Sequence, residues 1–204
     1  MANPPALSEL ETDLLNEIFN LGVGNAAASL SQMVRQEIKL SVPELNFYSI
    51  NELSETLGQD QLLSCVSQKI TGAFSAQSMV IFPDEDSLEI VSQLLGENFS
   101  EESLAELQDE AMSEIGNIVL NACIGSLSES LSTAFEIDLP EYVRSIPTTL
   151  IENKELDGES LILFIRIELT LSESKITGYL AFLMGVESLS KLHNILKETL
   201  NKLL

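Results

Sequence analysis

Two short constellations in this chain have residue types and spacing that could do chemistry. They are Asp13, Glu17 and Asn20, and, further on, Glu110, Glu114 and Asn117. In each, the first acid, the Glu and the Asn stand four and three residues apart, and a proline follows the Asn after 22 intervening residues, as Pro43 and as Pro140. On a helix, with about 100° between successive residues, such a trio falls within about 60° of arc. The Glu and Asn then have Cβ atoms about 5–6 Å apart. An Asn amide is neutral, so it is no general base, but it donates and accepts hydrogen bonds and can hold a water in one orientation. Positioning of that kind suffices when the bond to be broken is already labile and the charge stabilisation comes from the other molecule, as in phosphoryl transfer assisted by a water-orienting Gln. A carboxylate pressed on a phosphoryl dianion would be repelled, so Glu17 and Glu114 are better suited to pairing with a cation of a partner. Asp13 and Glu110 serve either as helix first-turn charges or as contributors to docking. A Glu and an Asn at this spacing can equally be a plain solvated helix face, and repetition of the whole pattern with both prolines is what argues against that.

The elements that must position these residues repeat as well. Between Glu9 and Glu44, ten of 36 positions are identical to those 97 residues later: Glu9, Leu10, Glu17, Ile18, Asn20, Ser29, Leu30, Ser31, Pro43 and Glu44. Solenoid repeats run at roughly 20–50 residues, so this period is that of a duplicated half. Ser8–Glu11 is a capping box that opens a helix reaching about Gln36, with Leu10, Leu14, Ile18 and Leu21 as its buried stripe. Gly24 and Ser31, and on the second helix Asn121 and Ser128, continue the polar line as short side chains that would let another protein approach. Ile38–Tyr48 reads as a strand that must lie at an edge or carry a bulge at Pro43. A short polar segment, Asn51 to Gln59, follows. Leu62–Ile70 and Ala73–Phe82 form a hairpin, and Asp84–Leu95 a helix. In the second half, Ser103–Glu106 is again a capping box, opening a helix to about Ala134. Phe135–Ile151 is the strand interrupted by Pro140, Leu161–Leu171 and Ile176–Met184 are a hairpin, and Val186–Leu203 is a closing helix. The tetrapeptide Lys-Ile-Thr-Gly at 69–72 and 175–178 sets the hairpins in correspondence and implies a nine-residue insertion around Asn153–Glu159. The expected fold class is α+β: a single domain spanning 1–204, with halves at about 7–99 and 100–204 related by a pseudo-twofold. It has an antiparallel sheet of about six strands with the long helices packed on it.

An acidic residue, three residues, Glu, two residues, Asn, 22 residues and Pro, present twice, resembles the signature of the CheC-type chemotaxis phosphatases (CheC, CheX and FliY), and most of all the two-motif branch. The resemblance extends over nearly the whole chain. It implies hydrolysis of the aspartyl phosphate of a CheY-like response regulator, with Asn20 and Asn117 orienting the water and Glu17 and Glu114 docking the regulator. It implies no cofactor of the chain's own; the Mg²⁺ belongs to the phosphorylated regulator. It also implies a possible CheD-type deamidase as partner, and leaves open a non-catalytic module that only binds such a regulator or deamidase. Phe19 stands where a small residue beside the Asn is expected, and crowds a docking partner unless its ring turns into the core. Gly116 at the equivalent place leaves that space empty, so the second site should be the stronger.

Composition narrows the partners. Ten Lys and Arg against 32 Asp and Glu give a net charge of −22, which repels nucleic acid and anionic lipid over distances of the Debye length. The opening residues have no basic region or apolar run of a secretory signal, and the longest apolar runs fall far short of the ~20 residues that span a bilayer. A cytoplasmic location is expected. Cys65 and Cys123 lack metal-ligand spacing and read as buried hydrophobes, and His193, the one histidine, reads as a surface residue. Gly22–Ala27 matches a dinucleotide-binding turn, but that turn must follow a strand, and Asp13–Leu21 has helical spacing.

Overall fold

The computed structural model describes residues 7–95, 101–152, 161–171 and 174–203. In chain order the elements are α1 (Glu9–Val34), β1 (Ile38–Tyr48), α2 (Ile50–Leu57), β2 (Leu63–Gly72), β3 (Ala76–Pro83), α3 (Asp84–Leu95), α4 (Glu101–Ser130), β4 (Phe135–Ile137), β5 (Glu141–Ser145), α5 (Pro147–Glu152), β6 (Leu161–Leu171), β7 (Ser174–Met184) and α6 (Val186–Leu203). The seven strands form one antiparallel sheet in the order β1-β6-β7-β3-β2-β4, with β5 also pairing to β2. The order reads alike from both edges. Each edge, β1 or β4/β5, lies beside the hairpin of the other half of the chain, and the inner hairpin strands β3 and β7 meet in the middle.

Alternation along the strands divides the core. Val80, Phe82, Leu163, Ile165, Leu180 and Phe182 point to the face covered by α1, α3, α4 and α6. Met79, Ile81, Ile162, Phe164, Ala181 and Leu183 point to the other, where Leu53 and Leu57 of α2 and Leu150 of α5 close a second cluster. A sheet with both faces apolar needs cover on both, and α2 and α5 supply it. Neither helix was expected. Asn51–Gln59 overlaps α2, whose Ser49–Glu52 capping box starts it, and the expected strand Phe135–Ile151 ends at Ser145, with α5 beginning at Pro147.

Other expectations need correction. The buried stripe of α1 is Glu11, Leu15, Ile18, Phe19, Gly22, Val23, Ala26, Ala27 and Leu30, while Leu10 and Leu21 are 58% and 55% exposed. Helix α4 starts at Glu101, so Ser103 lies within it and is no cap. The Lys-Ile-Thr-Gly copies are not equivalent: the first ends β2, the first strand of its hairpin, and the second lies in β7, the second strand of its own. The proposed insertion at Asn153–Glu159 lies outside the described residues. His193 is 12% exposed in its side chain, with its Nδ1 3.6 Å from Glu11 Oε1. Burial pushes the Glu11 carboxyl up, but the two Ser8 hydrogen bonds, with His193 and Lys197 nearby, hold it below the usual carboxylate range.

The offset of 97 residues returns in the backbone. Among the described residues, the only non-glycine positions with positive φ are Arg35 (56°) and Ser132 (50°), 97 apart, each just after its long helix. Beside them, Ser31 Oγ accepts from Ile38 N at 2.9 Å and Ser128 Oγ donates to Thr133 O at 2.5 Å. These hydroxyls fasten the chain leaving each helix. They are thus structural, not part of an approach surface.

Cys65 and Cys123 are both buried, and burial pushes the Cys123 thiol up to about 12. Among the described residues, no helix is long and apolar enough to cross a membrane.

Candidate functional site

Each Glu/Asn pair lies at the margin of the buried face of a long helix, the Glu exposed and the Asn turned towards the sheet, while the rest of that face packs on the sheet and on the other long helix. The two helices approach closely at Gly22, where a Cβ would stand 2.8 Å from Cys123 Cα. That contact accounts for one of the two helical glycines near the first motif. Gly24 has open space around its Cβ position.

At the first site, Asp13, Glu17 and Asn20 are all exposed. Asn20 Nδ2 donates to the carbonyl of Asn16 one turn back at 2.9 Å, and Asn20 Oδ1 accepts from Val42 N of β1 at 3.3 Å. The second bond reaches the edge strand where it bulges. Pairing of β1 with β6 shifts register between Ser41 and Glu44, the interval holding Pro43. The expected bulged edge strand at Pro43 is therefore present, and its loosened N–H is taken up by the Asn.

At the second site Glu110 and Glu114 are exposed and Asn117 is half-buried. Asn117 Oδ1 accepts two bonds, from Gln68 Nε2 of β2 at 3.0 Å and from Asn121 Nδ2 at 2.8 Å. The same Gln68 Nε2 donates to Asp138 O at 3.4 Å, in the break between β4 and β5 that contains Pro140. Nothing in the sequence pattern singles out Gln68, and Asn121 stands out there only as a short side chain. Beside the pair runs a groove of about 410 Å³, floored by Met33, Leu94, Leu107 and Ala111 and flanked by Glu110 and Glu114.

Phe19 and Gly116, expected to decide how closely a partner approaches, do not face one. The Phe19 ring is buried against Phe182 with centroids 5.3 Å apart. A Cβ at Gly116 would overlap the Val66 side chain of β2. Gly116 thus permits close helix-to-sheet packing and leaves no empty space before Asn117.

The break at Pro140 is pinned from its far side. Asp84, at the start of α3, accepts from Arg144 Nε of β5 at 2.6 Å, and Arg144 Nη2 also pairs with it. Ser64 Oγ donates to the same carboxylate at 2.7 Å and contacts Tyr142 Oη. The Arg144 bond holds the Asp84 carboxyl below its usual range, against the upward push of burial. Among the described residues no three His, Cys, Asp or Glu side chains converge to hold a metal ion.

No family model matches the chain. By sequence it is 24% identical over 139 residues to the CheY-P phosphatase CheC of Bacillus subtilis, a match covering 66% of each chain. It is 26% identical over 148 residues to the flagellar motor switch phosphatase FliY of the same organism, covering 70% of this chain and 38% of that one. The matched stretch thus spans about two thirds of CheC and little over a third of FliY. Among solved structures, Thermotoga maritima FliY superposes with a TM-score of 0.76 at 19% identity, covering 96% of this chain and all of that one. The CheX of a CheX-CheY-BeF3-Mg complex from Borrelia burgdorferi superposes with 0.50 at 18% identity, covering 82% and 96%. The family resemblance is therefore met in both sequence and fold: the curated relatives matched include the CheY-P phosphatase CheC and the flagellar motor switch phosphatase FliY, and the fold is that of FliY.

Proposed function

We propose that this chain hydrolyses the aspartyl phosphate of a CheY-like response regulator, with Asn20 and Asn117 orienting the water and Glu17 and Glu114 docking the regulator. The observation that carries this reading is that each Asn, exposed at the first site and half-buried at the second, stands one turn from an exposed Glu with its amide plane fixed by hydrogen bonds reaching the Pro-containing segment. The names of the relatives, and of the CheX solved with CheY, BeF3 and Mg, support the substrate class.

The step balances simply. The oxygen of water bonds to phosphorus as the bond from phosphorus to the aspartyl oxygen breaks. The bonding pair leaves with the regulator's carboxylate, and the water's protons go to the released inorganic phosphate and to solvent. The regulator supplies the Mg²⁺ that neutralises the phosphoryl charge. In a loose, largely dissociative transition state the attacking water needs placement more than activation, which an amide can provide. An amide N–H donating to one lone pair of the water leaves the other for phosphorus. Glu17 and Glu114 face a cation of the regulator by a charge-assisted bond. At the second site the groove beside Glu114 adds an apolar seat.

The test is release of phosphate from CheY-P, prepared with acetyl phosphate, with and without this chain. Asn20→Ala combined with Asn117→Ala should bind CheY-P as the parent does and lose the acceleration, whereas Glu17→Ala combined with Glu114→Ala should raise KM. Acceleration surviving in the double Asn variant would sink the mechanism. A parent that binds CheY-P without hastening phosphate loss would make the chain a binding module instead.

A further inference from the structure

We infer that Gln68 is a positioning residue for the second site, fixing which end of the Asn117 amide meets the substrate; this rests on the phosphatase reading above. Three observations lead to it. Asp138 O is a carbonyl and can only accept, so the end of Gln68 that faces it is the NH₂ group. That NH₂ also meets Asn117, which must therefore turn its oxygen inward. Asn121 donates to the same oxygen and fills its second lone pair. The Nδ2 of Asn117 has no partner among the described residues, so the Asn117 amide presents two N–H donors and no free acceptor.

Gln68 is also costly where it stands. It is 2% exposed, and its Oε1 is buried with no hydrogen-bond partner among the described residues. An unsatisfied buried oxygen opposes folding, and such groups call for an explanation beyond packing.

The other half of the chain shows that packing alone does not ask for it. Glu44 pairs with Arg166, and Glu141, its equivalent 97 residues on, pairs with Ser67. Leu40 pairs with Leu169, and its equivalent Ile137 pairs with Ile70. Both comparisons set equivalent residues of β2 and β6 99 apart, which puts Ile167 in the place of Gln68. Ile167 is fully buried in the core on the same helix-covered face. An aliphatic side chain thus suits this position, and the glutamine is there for the amide it holds. The place of Asn121 is taken in the first half by Gly24, so neither donor exists at the first site.

The test places Gln68→Met in two backgrounds. In the Asn20→Ala chain only the second site works. There Gln68→Met should lower kcat for CheY-P hydrolysis about tenfold with KM within twofold of its background, while Tm holds or rises because the unsatisfied oxygen is gone. In the Asn117→Ala chain only the first site works, and Gln68→Met should change neither constant. Unchanged kcat in the Asn20→Ala background, or equal losses in both backgrounds, would overturn the inference. If Asn20→Ala and Asn117→Ala together leave hydrolysis at the parent rate, the water-orienting role of the two Asn falls, and if the parent does not hasten phosphate loss the phosphatase reading itself falls; the Gln68 variants mimic neither result.

Discussion

The two sites share their motif and differ in how the Asn is held. Asn20 is exposed, and each end of its amide is engaged once, the nitrogen by its own helix and the oxygen by the edge strand. It keeps one N–H and one lone pair for a partner. Asn117 is half-buried, with its oxygen saturated by Gln68 and Asn121 and its nitrogen left open. One site is adaptable and the other is preset. A preset donor loses less freedom on reaching the transition state, and preorganised groups supply much of enzymatic rate enhancement. The residues that look decisive in the sequence, Phe19 and Gly116, differ for packing reasons, one against Phe182 and the other against Val66.

The largest expected effect bears on that last point. Phe19→Ala removes a fully buried ring and should cost about 3–5 kcal/mol, a large part of an ordinary domain's stability. Denaturant melts check it, and a variant that melts like the parent yet gains affinity for CheY-P would restore Phe19 as an obstacle to docking. Next comes the ranking of the sites. Asn117→Ala should lower phosphatase activity about tenfold and Asn20→Ala by less, since losing one well-placed donor typically costs more than that at its own site. Steady-state phosphate release by the two single variants decides it, and a dead Asn20→Ala would invert the comparison.

A smaller effect concerns acid. Asp84 is held below its usual range when folded, so the stability it contributes is full above the unfolded value of about 3.9 and fades as pH falls through the folded one. The Arg144 clamp ties down only the segment beside Asn117. Arg144→Met should flatten the fall in Tm below about pH 4 and weaken the second site at neutral pH, leaving the first. An unaltered acid profile would mean the clamp contributes nothing. The smallest effect would convert one site towards the other. Gly24→Asn places an amide one turn from Asn20, as Asn121 stands to Asn117, in open space. In the Asn117→Ala background it should raise first-site turnover about twofold, and helix stability by a few tenths of a kcal/mol over Gly. A fall in turnover would count against a held oxygen being an advantage.

Much of this frame is legible in the sequence, because the signals are local. Asp84 opens α3 with three acids in its first turn, the β6 strand and α6 have their expected bounds, and the prolines mark where strands break. The stripe of α1 is misread for a physical reason. Gly22 buries because the other long helix needs its small size, which carries no hydrophobic signal, while Leu10 and Leu21 are apolar and face outward. Helix α2 had its signal in Ser49 and Glu52, but eight residues are too few for periodicity to speak. Gln68 had none. Its meaning arises from the register of β2 against two edge strands, and a buried amide in a run of strand residues looks the same whether or not an Asn waits above it.

The bulge at the first site has a consequence for the free life of the protein. Strand β1 is an edge of 11 residues, and an edge of that length presents unpaired N–H and C=O groups on which another chain can add a strand. Here the register slips midway, Pro43 offers no donor, and the N–H of Val42 is already taken by Asn20. The residue proposed to hold a water for hydrolysis therefore also withholds a backbone donor from self-association. An Asn20→Ala chain should be lost to aggregation on storage sooner than an Asn117→Ala chain, whose missing side chain uncovers no edge.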